Sequence, residues 1–213
     1  MSAEPSEDPW ELRTHLSAES YVLASAGRAI STTAERERAG RLRRSGDGAR
    51  YLAAHGALRL ILAGYLGHDP HDVRFEAGPR GKPSVVGGAL QFNLSHSGAI
   101  ALIAVAKERP VGVDVERQRS IVDLEGIVER ICTPRERAAL DAVPPSKREG
   151  AFLAMWTRKE ALAKMTGDGF RALSRDASLG LQVDCRLEPL DDLPGYAACV
   201  AAQGTDWRLV RRP

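Results

Sequence analysis

The stretch PVGVDVERQR, residues 110–119, decides how the chain is read. Side chains alternate faces along a strand, so Val111, Val113 and Val115 are expected on one side and Gly112, Asp114 and Glu116 on the other. Two carboxylates spaced this way lie roughly 7 Å apart at the backbone, given about 3.3 Å of rise per residue. They repel one another unless a positive charge stands between them. Two readings are open: an amphipathic strand with a wet acidic face, or a pair of oxygen ligands for one hard cation.

Immediately upstream, QFNLSHSGAIALIAVAKERPVGVDVE (91–116) holds three apolar runs punctuated by HSG and KERP. This pattern predicts a three-stranded antiparallel meander with the acids on its third strand. Further back, ARYLAAHGALRLILAGYLG (49–67) carries Tyr51, Leu52, Leu58, Leu62 and Leu66 near helical spacing, with Gly67 as a stop, and is expected to be a core helix. The Gly- and Pro-rich segment after it reads as turns around a short strand at 73–76. Residues 1–9 read as a tail, followed by a short strand near Trp10, a helix capped by Ser17, and a second helix after Ser31 or Thr32. That second helix carries Arg36, Arg38, Arg41, Arg43 and Arg44, which is either a solvated face or an anion site.

Downstream, helices are expected over 121–131 and 134–142, the latter with Thr133 as cap, Pro134 in the first turn and Glu136 three residues on. PPSKREG (144–150) reads as a break. A long helix from about Arg148 to Met165, ended by Thr166-Gly167, is followed by short apolar runs that suggest another small sheet. The fold class is α+β. An internal echo relates Tyr51-Leu52-Ala53 to Phe152-Leu153-Ala154, and Gly98–Val105 to Gly195–Ala202, as two related halves would.

Composition narrows the function classes. The chain has 213 residues, 43% hydrophobic, with Lys plus Arg at 30 against Asp plus Glu at 28. So small an excess of positive charge argues against a sequence-independent nucleic-acid binder. Three cysteines without zinc-ligand spacing favour reduced thiols and a cytoplasmic protein, and no apolar run reaches membrane-spanning length.

In the long helix, Phe152, Trp156, Glu160 and Lys164 are spaced by four, so one stripe changes from aromatic to acid and base. Glu160 and Lys164 are either an exposed ion pair or a third carboxylate for Asp114 and Glu116 with a cation beside it. In FNLSHSG (92–98), Phe92, Leu94 and His96 share one strand face while Asn93, Ser95 and Ser97 share the other. Adjacent Ser95 and His96 therefore point apart, which argues against a Ser-His hydrolase. As donors at a turn they suit phosphate oxygens, and Lys82 on the rigid turn GPRGKP adds either a cation or a structural turn residue.

Taken in order, GKP at 81–83, FNLSHSG at 92–98, VGVDVE at 111–116 and WTRKEALAK at 156–164 resemble the 4'-phosphopantetheinyl transferases of the larger, Sfp-type branch. The resemblance implies two similar lobes, each a small, mainly antiparallel sheet packed against a long helix, with residues 1–112 forming the first, 113–213 the second and the site between them. It implies transfer of the phosphopantetheine arm of coenzyme A to a serine hydroxyl of an apo acyl or peptidyl carrier protein, by an active monomer. Asp114, Glu116 and Glu160 become the implied magnesium-binding acids, with Glu160 also the favoured base. Lys82, Pro83, Ser95, His96 and Lys164 become contacts of coenzyme A. Arg50, at the head of its helix, resembles an arginine that meets the nucleotide phosphate. Another metal-dependent phosphotransferase would use the same three acids; a carrier-binding module without chemistry is a further alternative, against which the intact set of Asp114, Glu116, Glu160 and Lys164 argues.

Overall fold

The computed structural model describes residues 11–18, 29–43, 46–78, 81–88, 90–167, 169 and 184–212. Strand β1 (Glu11–Ala18) is followed by helices α1 (Thr33–Gly40) and α2 (Asp47–Leu66), then by strands β2 (Phe75–Ala77), β3 (Pro83–Val85), β4 (Leu90–Ser97), β5 (Ile100–Lys107) and β6 (Val111–Arg117). Helices α3 (Leu124–Ile131), α4 (Pro134–Asp141) and α5 (Pro145–Thr166) precede β7 (Cys185–Pro189), β8 (Tyr196–Gln203) and β9 (Arg208–Arg212).

Two sheets stack face to face between the two long helices. In the first, the order is β4-β5-β1-β9; in the second it is β6-β8-β7. β5 is buried on both faces: Leu102, Ala104 and Ala106 meet Val111, Val113, Val115, Ala198 and Val200 of the second sheet, while Ile103 and Val105 pack with Leu58 and Leu62 of α2. On the far side, Ala161 and Met165 of α5 pack on Cys199 and Ala201. The order strand, long helix, strand, strand therefore occurs twice, as β1-α2-β4-β5 and as β6-α5-β7-β8, which is the physical content of the internal echo. The class is α+β, as expected.

Several local expectations change. β6 does not complete a meander: it pairs antiparallel with β8, Val113 opposite Val200, while β1 occupies the second edge of β5. Glu108 in the left-handed region (φ 54) and Pro110, which has no N–H to give a ladder, turn the chain out of the first sheet. The expected boundary at 112/113 falls within β6, and β9 returns to lie parallel beside β1 instead of extending the second sheet. Ser17 belongs to β1 and is no helix cap; a helix directly after it lies outside the described residues. The PPSKREG segment begins α5, because proline is tolerated in the first turn of a helix. The expected cap of Thr133 with Glu136 forms, and of the two candidate starts Ser31 and Thr32 it is Thr32 that caps α1, in a box with Glu35.

Buried charge joins the helices. Arg59 of α2 reaches Glu35 of α1 at 3.1 Å and the Val73 carbonyl at 2.7 Å. Lys159 of α5 reaches Glu136 at 2.8 Å and the Ile131 carbonyl at 2.9 Å. Burial alone would raise both carboxyl groups, but hydrogen bonds and charge from Arg59 and Lys159, with those from the caps, hold Glu35 and Glu136 below the ordinary carboxylate value. His55 is pulled down to about 4, first by burial, against the opposing charge of Glu35.

These placements make the fold sensitive to acid. Between 6.5, its ordinary value, and about 4, an unfolded chain takes up a proton at position 55 that the folded chain refuses. Glu35 and Glu136 contribute stability that is present above 4.5 and lost as pH falls through their depressed values. Urea unfolding should therefore show stability falling from pH 7 to pH 4, by on the order of 2 kcal/mol; a flat profile would contradict these placements. Separately, a Cβ at Gly112 would lie 2.0 Å from the Ala161 carbonyl oxygen and 2.4 Å from the Met165 nitrogen. Gly112→Ala should push α5 off β6 and cost about 1–3 kcal/mol or more in the same measurement.

Candidate active site

The acid pair is not on a wet face. Asp114 is buried and Glu116 half-buried, because α5 covers the face they share with Gly112. The outer edge of β6, left unpaired by any strand among the described residues, is met by side chains of β4. The Val113 N–H donates to Asn93 Oδ1 at 2.9 Å, the Val115 N–H to Ser95 Oγ at 3.4 Å and the Arg117 N–H to Ser97 Oγ at 3.1 Å. Carbonyls on the same edge accept from lysines: Val111 from Lys82 Nζ at 2.9 Å, Val113 from Lys164 Nζ at 3.3 Å.

These contacts gather most of the expected residues at one seam. Lys164 Nζ lies 2.6 Å from Asp114 Oδ1 and 3.1 Å from Ser95 Oγ, and Ser95 donates to the same Oδ1 at 2.8 Å. Ser97 donates to Glu116 Oε2 at 2.9 Å. Glu160 stands one helical turn before Lys164; burial raises its carboxyl above the usual range, the charges of Asp114 and Glu116 add to this and Lys164 opposes it. The stripe on α5 therefore faces inward and is no exposed ion pair, with Phe152 and Trp156 stacked 6.4 Å apart in the core at its start.

Beside the seam opens a cleft of about 1120 Å³. Arg50, Pro83 and His96 line it, together with Arg38 from the basic helix. The enclosing walls lower the His96 imidazole, and the charges of Lys164 and Arg50 lower it further against Asp47 and Glu116. Arg50 also reaches Asp47 at 3.2 Å. The arginine cluster is divided: Arg36 bonds the Ser31 carbonyl and Arg41 pairs with Glu37 at 3.6 Å. Lys82 and Ser95 do not line the cleft. The Lys82 ammonium, drawn down to about 8 by burial, ties the Val111 carbonyl to that of Met165 near the end of α5.

Sequence reasoning missed Arg117 and Arg119, both of which line the cleft. For Arg117 a signal was available, since the alternation that gives Val111, Val113 and Val115 one face continues into it; Arg119 lies beyond the end of β6, where alternation says nothing. Asn93 and Ser97 were assigned to a face, without a partner for it.

Among the described residues, no three carboxylate, histidine or cysteine side chains converge as a ready cation cage. The donor set nevertheless suits a hard cation. Asp114 Oδ2 is buried without a hydrogen-bond partner, and Glu160, raised first by burial, also stands in the field of Asp114 and Glu116 with Lys164 opposing them.

Residues 110–210 match the model of the 4'-phosphopantetheinyl transferase superfamily. The chain is also 36% identical over 137 residues to the 4'-phosphopantetheinyl transferase AcpT of Salmonella typhimurium, a stretch covering 62% of this chain and 70% of that protein. The chain belongs to the 4'-phosphopantetheinyl transferase superfamily. Within that superfamily it is 43% identical over 129 residues to HetI of Nostoc sp. (strain PCC 7120), covering 58% of this chain and 54% of HetI, so the match spans about half of that relative. It is 26% identical to Sfp of Bacillus subtilis (strain 168) over 187 residues, 81% of this chain and 82% of Sfp. The family match runs from β6 through α5 to β9 and so includes Asp114, Glu116, Glu160 and Lys164.

A buried pair that loses one partner leaves the other charge uncompensated. Lys164→Met and Asp114→Asn should each cost about 1–3 kcal/mol in urea unfolding, and the double variant should cost less than their sum. Strict additivity would mean that the 2.6 Å contact carries no coupling.

Proposed function

We propose that this chain transfers the 4'-phosphopantetheine arm of coenzyme A to a serine hydroxyl of an apo acyl or peptidyl carrier protein, leaving adenosine 3',5'-bisphosphate. The observation that carries this reading is the buried, unpartnered Oδ2 of Asp114, set beside Lys164 and Glu160 at the border of an arginine-lined cleft in a member of this superfamily. Similarity across most of both this chain and Sfp, with the strand-helix-strand-strand order used twice, supports the larger Sfp-type branch. Both units lie in one chain, so we expect the active species to be a monomer. No helix among the described residues is long and apolar enough to cross a membrane.

Arg38 and Arg50 offer donors and positive charge for the nucleotide phosphates, His96 offers a ring N–H, and Pro83 forms part of the rigid wall. Asp114, Glu116 and Glu160 would hold magnesium. That ion, when bound, neutralises the pyrophosphate charge. Lys164 can exchange its contact with Asp114 for a phosphate oxygen. The carrier serine oxygen bonds to the pantetheine phosphorus as the pyrophosphate P–O bond breaks, releasing adenosine 3',5'-bisphosphate, and its proton passes to the Glu160 carboxylate.

Intact-mass measurement of an apo carrier incubated with the chain, coenzyme A and magnesium should show a gain of about 340 Da, the mass of the arm. No gain with any carrier class would overturn the reading. Glu160→Gln should slow the single-turnover step by about 10²–10⁴ and change coenzyme A affinity less. Lys164→Ala should weaken coenzyme A binding as well as turnover. If neither variant has these effects, the pair belongs to an ordinary packed helix.

A further inference from the structure

Ser95 and Ser97 of β4 repeat one contact pattern two residues apart. Each hydroxyl accepts a backbone N–H of β6 and donates to the carboxylate of the residue just before that N–H. For Ser95 these are Val115 at 3.4 Å and Asp114 at 2.8 Å; for Ser97 they are Arg117 at 3.1 Å and Glu116 at 2.9 Å. A serine hydroxyl has one proton and two acceptor positions. Ser95 has both acceptor positions filled, by the Val115 N–H and by Lys164 at 3.1 Å, so its proton is left for Asp114 alone. At Ser97 the Arg117 N–H occupies the acceptor side and the proton is turned toward Glu116.

The directional result matters more than the sealing of an edge. Ser95 and Lys164 both engage Oδ1 of Asp114, and Oδ2 is the atom left buried without a partner. Ser97 also lines the cleft, so one side chain touches both the cleft and an acid. We propose that Ser95 and Ser97 are positioning residues, a two-serine rail on β4 that orients Asp114 and Glu116 toward a divalent cation and registers that cation against the cleft. This inference rests on the acids having the metal-holding role of the proposed transferase. It gives Ser95, which is buried and donates to Asp114, a role toward the carboxylate as well. Partners that orient metal-ligating carboxylates typically govern affinity by on the order of 10- to 100-fold.

Ser97 is the better test, since Arg117 is exposed and water can replace the hydroxyl as acceptor for its N–H. Electron paramagnetic resonance of free Mn²⁺, titrated against the full chain with coenzyme A present, reads cation affinity without turnover. Ser97→Ala should weaken Mn²⁺ binding by on the order of 10-fold with little change in Tm, Ser97→Thr should restore it, and Ser95→Ala should weaken it at least as much. Unchanged Mn²⁺ affinity in Ser97→Ala would overturn the proposal, as would an unaltered chain that binds no Mn²⁺. So would a loss that tracks Tm in both the Ala and the Thr variant, because the serine would then only seal the strand edge. The transferase reading fails separately: serine-dependent Mn²⁺ binding by a chain that never modifies a carrier would sink that reading and leave the rail standing.

Discussion

The outer edge of β6 is the constraint on which the structure depends. A strand edge in the middle of a molecule presents N–H and C=O groups that water cannot reach, and each unmet group costs free energy comparable to a lost hydrogen bond. Here the edge is met by Asn93, Ser95, Ser97, Lys82 and Lys164, five side chains from three other segments. The alternation of N–H groups along β6 matches the alternation of polar side chains along β4 in one register, and that register fixes one sheet against the other. Gly112 completes the arrangement by letting the backbone of α5 approach β6 where any side chain would stand in its way.

The same seam sorts the charges. Arg38, Arg50, Arg117 and Arg119 face the cleft together with Glu35 and Asp47, while Asp114 and Lys164 are held off the cleft wall as a partly buried pair. Burying such a pair seldom stabilises a fold compared with apolar residues of the same size. Its presence, with one carboxylate oxygen left without a partner, is understandable in a superfamily whose members are named for transferring a phosphate-bearing group. Ser97 touches both sides of the division.

Much of this was readable locally. The alternation in PVGVDVERQR put Asp114 and Glu116 on one face; the spacing of Phe152, Trp156, Glu160 and Lys164 put a stripe on α5; Thr133 announced a helix start that formed with Glu136, and Ser31-Thr32 marked another to within one residue. Other readings went astray where local pattern had no hold. The valine face of β6 is no more apolar than a third meander strand would be, so nothing local said that β1 already held the free edge of β5. Proline at the start of α5 looked like a break because the same residue opens a helix when it stands in the first turn and ends one when it stands further in.

The sequence by itself determined the elements, their faces and the ordered motifs, because side-chain periodicity, caps and turn residues act over a few neighbours along the chain. Tertiary structure alone decided that β6 joins β8, that β9 returns to β1, that the serines of β4 grip the carboxylates of β6, and that Lys82 bonds carbonyls instead of lining the cleft. Those outcomes depend on which strand edges and polar groups remain unsatisfied once distant segments have packed, a quantity that belongs to the assembled fold and is carried by no single stretch of chain.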